Sequence, residues 1–304
     1  MKNKIKKLIT HNGSFHADDI FAAATLSLFL KKEEYEIIRT RDEEIIKLGD
    51  YVFDVGGIYD ENINRFDHHQ KGGAGKREND IPYASFGLVW KHFGMNLCEQ
   101  NENIWKMIDQ AIVCPIDAND NGLDIVETKF TGIMPYSASR VFLINSPTWK
   151  ENEENIDKIF LEQVKLATKI LKREIKVAQD DIEGKRLILE SYNNAKDKRI
   201  IELDISFPRY LYQEILSSLP EPIFVVYPSL YAKNWKVEAI SKNSETMESR
   251  KYFPISWRGF LNNDHQASEI IGVSGVIFSH QAGFLITISE KENALELAKK
   301  ALAS

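Results

Sequence analysis

The sequence predicts an α/β protein, with a mostly parallel sheet in its first half and a smaller α+β second half. Three observations carry this. Short apolar runs alternate with helical patterns over the first 120 residues, the rhythm of βαβ units. A polar stretch, TWKENEEN at 148–155, leads into one long helix through about residue 180. Beyond it the strand-like runs lose that alternation. A chain of 304 residues is long enough for two domains. The expected divisions are 1–150, a linker helix over 151–180, and 181–304, with the stretch near 148–155 acting as a hinge and the active crevice between the halves.

Each element follows from its pattern. IKKLIT (5–10) predicts a strand, and DDIFAAATLSLFLKK (18–32) a helix that opens on two acids, where free N–H groups and the dipole favour them. YEIIRT (35–40) and YVFDV (51–55) predict strands, with a short helix between. Residues 84–119 predict helix, broken at Pro115, and SASRVFLI (137–144) a further amphipathic helix. In the second half KRLILE (185–190), PIFVVYPS (222–229) and WKVEAIS (235–241) predict strands. GVIFSHQAGFLITIS (275–289) predicts a hairpin and ENALELAKKAL a closing helix.

Composition excludes several classes. Thirty-nine Lys and Arg against 45 Asp and Glu give a formal charge of −6, so the molecule is not a basic nucleic-acid-coating protein. Two cysteines, Cys98 and Cys114, form no CxxC pattern, which argues against a disulfide scaffold and for a reducing interior. The longest apolar run, FAAATLSLFL at 21–30, is too short to span a membrane. MKNKIKK is followed by LITHNGSFHADD rather than by an apolar leader. The expectation is a cytoplasmic protein with no removed leader and no membrane partner. Its oligomeric state is open, a homodimer included.

Acids and imidazoles collect at the predicted strand ends. HNGSFHADD (11–19) offers His11, His16, Asp18 and Asp19; DVGG (54–57) offers Asp54; DHH follows the run INRF; IDAND (116–120) offers Asp117 and Asp120. In an open parallel sheet the carboxyl ends of the strands share one edge, where ligands bind. Two divalent cations in one site need a bridging carboxylate and several further Asp and His ligands. Mixed imidazole and carboxylate donors suit Mn²⁺, Zn²⁺, Fe²⁺ or Co²⁺ better than an all-oxygen Mg²⁺ or Ca²⁺ cage.

The motifs THNGSFHADDIFAAA (10–24), DVGGIYDENINRFDHHQKG (54–72), YASFGLVW (83–90), IDANDNG (116–122), FPISWRGF (253–260) and SGVIFSHQAGFL (274–285) span nearly the whole chain. On them the sequence resembles the DHH phosphoesterase superfamily, and within it the melanocyte-proliferating-gene family of 3′–5′ RNA exonucleases. The resemblance implies two divalent ions, usually manganese. His11, His16 and Asp54 would hold one ion; Asp18, Asp54, His68 and Asp117 would hold the other, with Asp54 bridging. Asp67 would orient the histidine pair, His69 would contact phosphate or donate a proton, and Asp19 would cap the helix or support the ligands. The spacing HNGSFHAD departs from the plain H-x-x-x-D-x-D of the wider superfamily.

The second domain would supply substrate contacts through Arg258 and the turn at 279–283, with His280 and Gly283. LeuIleThr at 285–287 stands where relatives usually carry paired glycines. KGGAGKRE (71–78) reads as a flexible basic loop able to close over a phosphate. The function expected is a metal-dependent phosphodiesterase that removes nucleotides from an end of short RNA. A pyrophosphatase or small-nucleotide phosphohydrolase, and a metal-holding RNA-binding protein without turnover, are the alternatives.

Overall fold

Leu8 and Ile9 have no solvent exposure, because they lie in an inner strand of a sheet covered by helices. In the computed structural model, which describes residues 4–30, 35–151, 153–246, 248–261 and 265–304, the chain divides into two units, Met1–Gln179 and Asp180–Ser304. The first unit holds β1 (Lys6–Thr10), α1 (Ala17–Phe29), β2 (Tyr35–Arg39), α2 (Glu43–Lys47), β3 (Tyr51–Phe53), β4 (Tyr59–Asp60) and β5 (Arg65–Phe66). The sheet order is β2-β1-β3-β5-β4. All pairings are parallel except that of β4 with β5. The end of the helix expected over 18–32 falls outside the described residues. Its main part, α1, is buried on nearly every face from Ala17 to Leu26, as an apolar helix between layers must be. Phe21 stacks on Phe86 and meets Phe142 edge-on, both at 5.2 Å.

The helical stretch 84–119 is three helices: α3 (Ser85–Leu97), α4 (Glu102–Ile108) and α5 (Cys114–Asp120), with a wide π turn over Asp109–Val113. The break does not fall at Pro115. It falls at Glu99 and Gln100, both left-handed (φ 52° and 64°), and Asn101 caps the restart through Asn103 N and Ile104 N. Pro115 sits in the first turn of α5, where no backbone donor is required of it. The helix α6 (Ala138–Leu143) follows, and then α7 (Ile156–Asn194).

The run KRLILE, expected as a strand, lies inside α7. Arg186 bonds Glu183 and Glu190, the i−3 and i+4 neighbours of a helix, and Ile188 is fully buried against Ile201 and Leu211. Gly184 does not interrupt this helix; a Cβ there would run into the Leu211 side chain.

The second unit carries β6 (Ile200–Glu202), α8 (Arg209–Ser217), β7 (Phe224–Pro228), β8 (Trp235–Ala239), α9 (His265–Ile271), β9 (Val276–Ser279), β10 (Leu285–Ile288) and α10 (Lys291–Ala303). The sheet order is β6-β7-β8-β10-β9, antiparallel except for β6 with β7. Alternation along β7 feeds two cores. Phe224 and Val226 pack with Leu297 and Ala301 of α10, whereas Val225 and Tyr227 pack with Leu211 and Ile215 of α8. The predicted hairpin is β9 and β10. No described helix is long and apolar enough to cross a membrane.

Candidate metal centre

The residues that follow β1, β3 and β5 leave one edge of the first sheet, and they are His11, Asp54 and Asp67. His11 is 5 % exposed. Its Nδ1 lies 3.1 Å from the Asn12 carbonyl, which accepts only, so the neutral ring holds its proton there. Its Nε2 then presents a lone pair to Asp54 Oδ2 at 3.2 Å and to Asp19 Oδ2 at 3.3 Å. Acceptors facing acceptors repel unless a proton or a cation lies between them.

Asp54 adopts a left-handed backbone (φ 54°), held as its N–H donates to the Phe66 carbonyl at 3.3 Å. That turn directs Oδ2 to His11 and Oδ1 to His68 Nε2 (3.4 Å) and His69 Nδ1 (3.5 Å). Asp18 anchors on the start of α3, accepting from Phe86 N at 2.7 Å and Ser85 N at 3.1 Å. Asp19 accepts from His16 N with Oδ1 at 2.9 Å, capping α1. Its Oδ2 is buried with no hydrogen-bond partner, as is His68 Nε2. Asp120 Oδ2 is 3.2 Å from that same His68 Nε2.

Three overlapping groups among the described residues thus have metal-ligand geometry: His11, Asp19 and Asp54; Asp54, His68 and His69; Asp18, His68 and Asp120. Orphaned lone pairs, buried and convergent, are what a cation would satisfy, and the imidazole and carboxylate set suits a divalent transition metal.

Burial drives the Asp18 carboxyl well above its ordinary range and Asp19 up to about 7, against the pull of His11. Burial acts to lower His68, but the facing carboxylates of Asp120 and Asp54 outweigh it and raise the ring to about 10. Burial opposes ionisation of Asp54, yet His11 and His68 hold it below the usual carboxylate range.

Asp67 accepts from Gly57 N at 2.6 Å and from His69 N at 3.1 Å, and it holds His69 Nδ1 at 2.7 Å. The His69 side chain is 62 % exposed and lines a cavity of about 750 Å³ with His11, Asp54 and Asp67.

Two expected ligands stand apart from these groups. The His16 side chain is 58 % exposed, and its nearest acid is Asp120 at 3.8 Å. Asp117 is fully buried but accepts from Gly87 N at 3.0 Å and from Arg77 Nη1 at 2.6 Å. A Cβ on Gly87 would collide with its carboxylate, so a glycine lets α3 come that close. Arg77 also grips Asp109 with two bonds of 2.9 and 3.0 Å and stacks over Tyr83. That arginine of the 71–78 loop is therefore tied into unit 1 rather than held ready for a ligand. The groups with candidate geometry include Asp19 and Asp120 and leave out the His16 and Asp117 that the resemblance implies. The arginine that claims Asp117 lies 40 residues away, out of reach of local pattern.

In the second unit Arg258, His280 and Gly283 surround one turn. Arg258 spends Nε and Nη2 on the Phe253 carbonyl at 2.9 and 2.7 Å, and a Cβ on Gly283 (φ 75°) would meet its guanidinium. His280 Nδ1 accepts from Ala282 N at 3.0 Å, and its carbonyl accepts from Gly283 N.

The family model described as Uncharacterised protein family (UPF0160), MYG1_exonuc, matches residues 7–302. The chain is 30% identical to the MYG1 protein C694.04c of Schizosaccharomyces pombe, over 99% of this chain and 98% of that one. It is 30% identical to the MYG1 exonuclease of Rattus norvegicus, over 97% and 84%. Among solved structures, the pGpG-specific phosphodiesterase PggH of Vibrio cholerae aligns over 98% of this chain and 99% of its own, at 15% identity and a TM-score of 0.30, too low to argue from.

Proposed function

We propose, from the premise that the chain belongs to the MYG1 exonuclease family, that this metal-dependent phosphoesterase is a cytoplasmic 3′–5′ exonuclease on short RNA, working with two divalent ions, manganese by preference. The observation that carries the reading is Asp54, whose two oxygens face His11 on one side and His68 on the other. A carboxylate so placed is the bridge a paired-ion site requires. His11 and Asp19 complete one side; Asp18, His68 and Asp120 complete the other. When bound, such ions supply an activated hydroxide and offset charge on the phosphoryl oxygens.

The protein's own groups do the rest. Asp18 and Asp19 have no solvent exposure, so charge interactions with them are little screened by water. Asp67 holds the Nδ1 edge of His69, so that ring is fixed to deliver a proton to the leaving oxygen. The hydrogen bond with Asp67 raises the His69 pKa, burial lowering it less, a shift toward the acid form. In the second unit the turn of His280 and Gly283, braced by Arg258, contacts substrate.

The test is turnover with manganese against RNA, DNA and pyrophosphate in parallel, together with metal analysis of two variants. RNA is expected to be the best substrate, cut from its 3′ end. Asp120→Asn should lose bound metal, whereas Asp117→Asn should keep it. Preferred release of phosphate from pyrophosphate would overturn the RNA reading. Metal loss confined to Asp117→Asn would overturn the ligand set.

A further inference from the structure

β2 runs parallel to β1 with Thr10 opposite Arg39, so the residues after both strands leave the edge that carries the metal centre. Two arginines sit there with opposite fates. Arg39 lies under Phe15 and Phe160, at 5.8 and 4.6 Å from their ring centres. Its guanidinium bonds Asp157 at 2.7 Å and the Gly13 carbonyl at 2.6 Å. Its charge is spent on the fold.

Arg41, two residues on, is exposed and makes no hydrogen bond or ion pair among the described residues. It lines the cavity of about 750 Å³ that holds His11, Asp54 and His69. A second cavity, of about 300 Å³, is lined by Asp18, Ser137, Ser139 and Arg140. Arg140 is likewise exposed, and although its backbone N–H donates to Ser137 Oγ at 3.2 Å, its guanidinium has no such partner among the described residues. The two cavities share His16 and Asp120, so they meet at the rim of the metal centre.

An arginine beside so many carboxylates gains by pairing with one of them. Here each cavity instead keeps a guanidinium unengaged next to the acids. A planar donor fork of this kind matches the non-bridging oxygens of a phosphodiester. We infer that Arg41 and Arg140 grip the phosphates on either side of the scissile one, so that an oligonucleotide backbone crosses the metal centre from one cavity into the other. This rests on the phosphodiesterase reading above and adds a length requirement to it. The best substrates carry phosphates on both sides of the cut, which for cleavage at the 3′ end means a 3′-terminal phosphate, and a diester with a single phosphorus uses neither arginine as an anchor.

The experiment compares Arg41→Gln, Arg140→Gln and the double variant with wild type in manganese. The substrates are a 3′-phosphorylated tetraribonucleotide and bis(4-nitrophenyl) phosphate, each at two salt concentrations. Each substitution should lower kcat/KM for the tetranucleotide about tenfold and the salt slope by about one, and the double variant about a hundredfold. The single-phosphate ester should lose much less. Arg→Lys variants should recover part of the loss, since charge survives without the fork. Equal losses on both substrates, or none on the RNA, would overturn the inference.

Binding of the same RNA, fluorescein-labelled and read by anisotropy, tests the anchors without turnover. An unchanged Kd in both Gln variants counts against them even if wild type cleaves nothing. A wild type that binds RNA through both arginines yet hydrolyses neither substrate would instead remove the phosphodiesterase reading.

Discussion

Asp54 of the first unit and Glu238 of the second are buried carboxylates, 4 % and 1 % exposed, yet their surroundings are inverted. Glu238 is ringed by donors: Oε2 accepts from Tyr212 and Tyr227 hydroxyls at 2.7 and 2.8 Å, and Oε1 from Arg209 Nε and Gln213 Nε2 at 2.6 and 3.0 Å. Every lone pair there has a use. Asp54 lies among other acids with one hydroxyl donor, Ser85 Oγ at 3.4 Å, and the imidazoles that face it include His68, whose buried Nε2 lacks a hydrogen-bond partner. A buried charge with a full complement of donors is part of the fold. A buried cluster in which acceptors converge on one another is waiting for a cation, and that distinction separates structure from chemistry more surely than burial does.

The comparison breaks most visibly under amide substitution. Asp54→Asn should remove most bound metal and lower kcat by more than about a hundredfold, while circular dichroism stays native. Glu238→Ala should do the reverse. It strands two hydroxyls and part of a guanidinium, at a cost of about 3 kcal/mol in stability, read as a lower denaturant midpoint with metal content unaltered. Metal loss in the Glu238 variant, or full metal in the Asp54 variant, would erase the contrast.

A smaller effect sharpens it through pH. Burial raises Asp19 to about 7, so with metal stripped the folded state binds more protons than the unfolded state between about pH 4 and 7. Stability therefore falls as pH rises through that window. His68, raised to about 10, extends the fall: its contribution is full below about 6.5 and is lost by about 10. Asp54 acts oppositely, its contribution being lost only as pH drops below the ordinary carboxylate range. Chelated protein should lose more than about 3 °C in Tm between pH 5 and 9. Manganese should flatten that slope, because metal replaces the protons these ligands hold. Parallel slopes with and without manganese would show that the cluster binds no cation.

Much of this is readable from residue order. Strand ends, and hence His11, Asp54 and the Asp67-His68-His69 run, follow from period-2 runs and the shared edge of a parallel sheet. Which of the neighbouring acids and imidazoles the fold itself engages does not. Asp117 and Asp120 share a helix three residues apart, and only Arg77 and Gly87, distant in sequence, decide which one is committed to the fold. His16 against Asp19 turns on the entry to α1, where the Asp19 carboxylate caps the backbone and the His16 ring swings outward. KRLILE fits either period until the Glu183–Arg186–Glu190 ladder is in view. Only the Asp117 contact reaches outside the local window; the other two are contacts within about one helical turn that residue order alone does not choose between.

The smallest effect is expected at Arg258, where the second unit offers its own version of the contrast. Arg41 keeps its donors unengaged, whereas Arg258 gives two of its own to the Phe253 carbonyl and braces the turn at Gly283. Arg258→Ala should therefore cost about 1–1.5 kcal/mol of stability, the worth of charge-assisted bonds to a backbone oxygen at a partly exposed site. Metal content should not change. Loosening the turn should lower kcat/KM on RNA by less than about tenfold, and the dependence on salt should keep its wild-type slope, because a guanidinium spent on a carbonyl releases no counterions when RNA binds. If the slope instead falls by about one, as it should for Arg41, then Arg258 reaches a phosphate through its remaining nitrogen and belongs with the substrate contacts rather than with the frame that holds them.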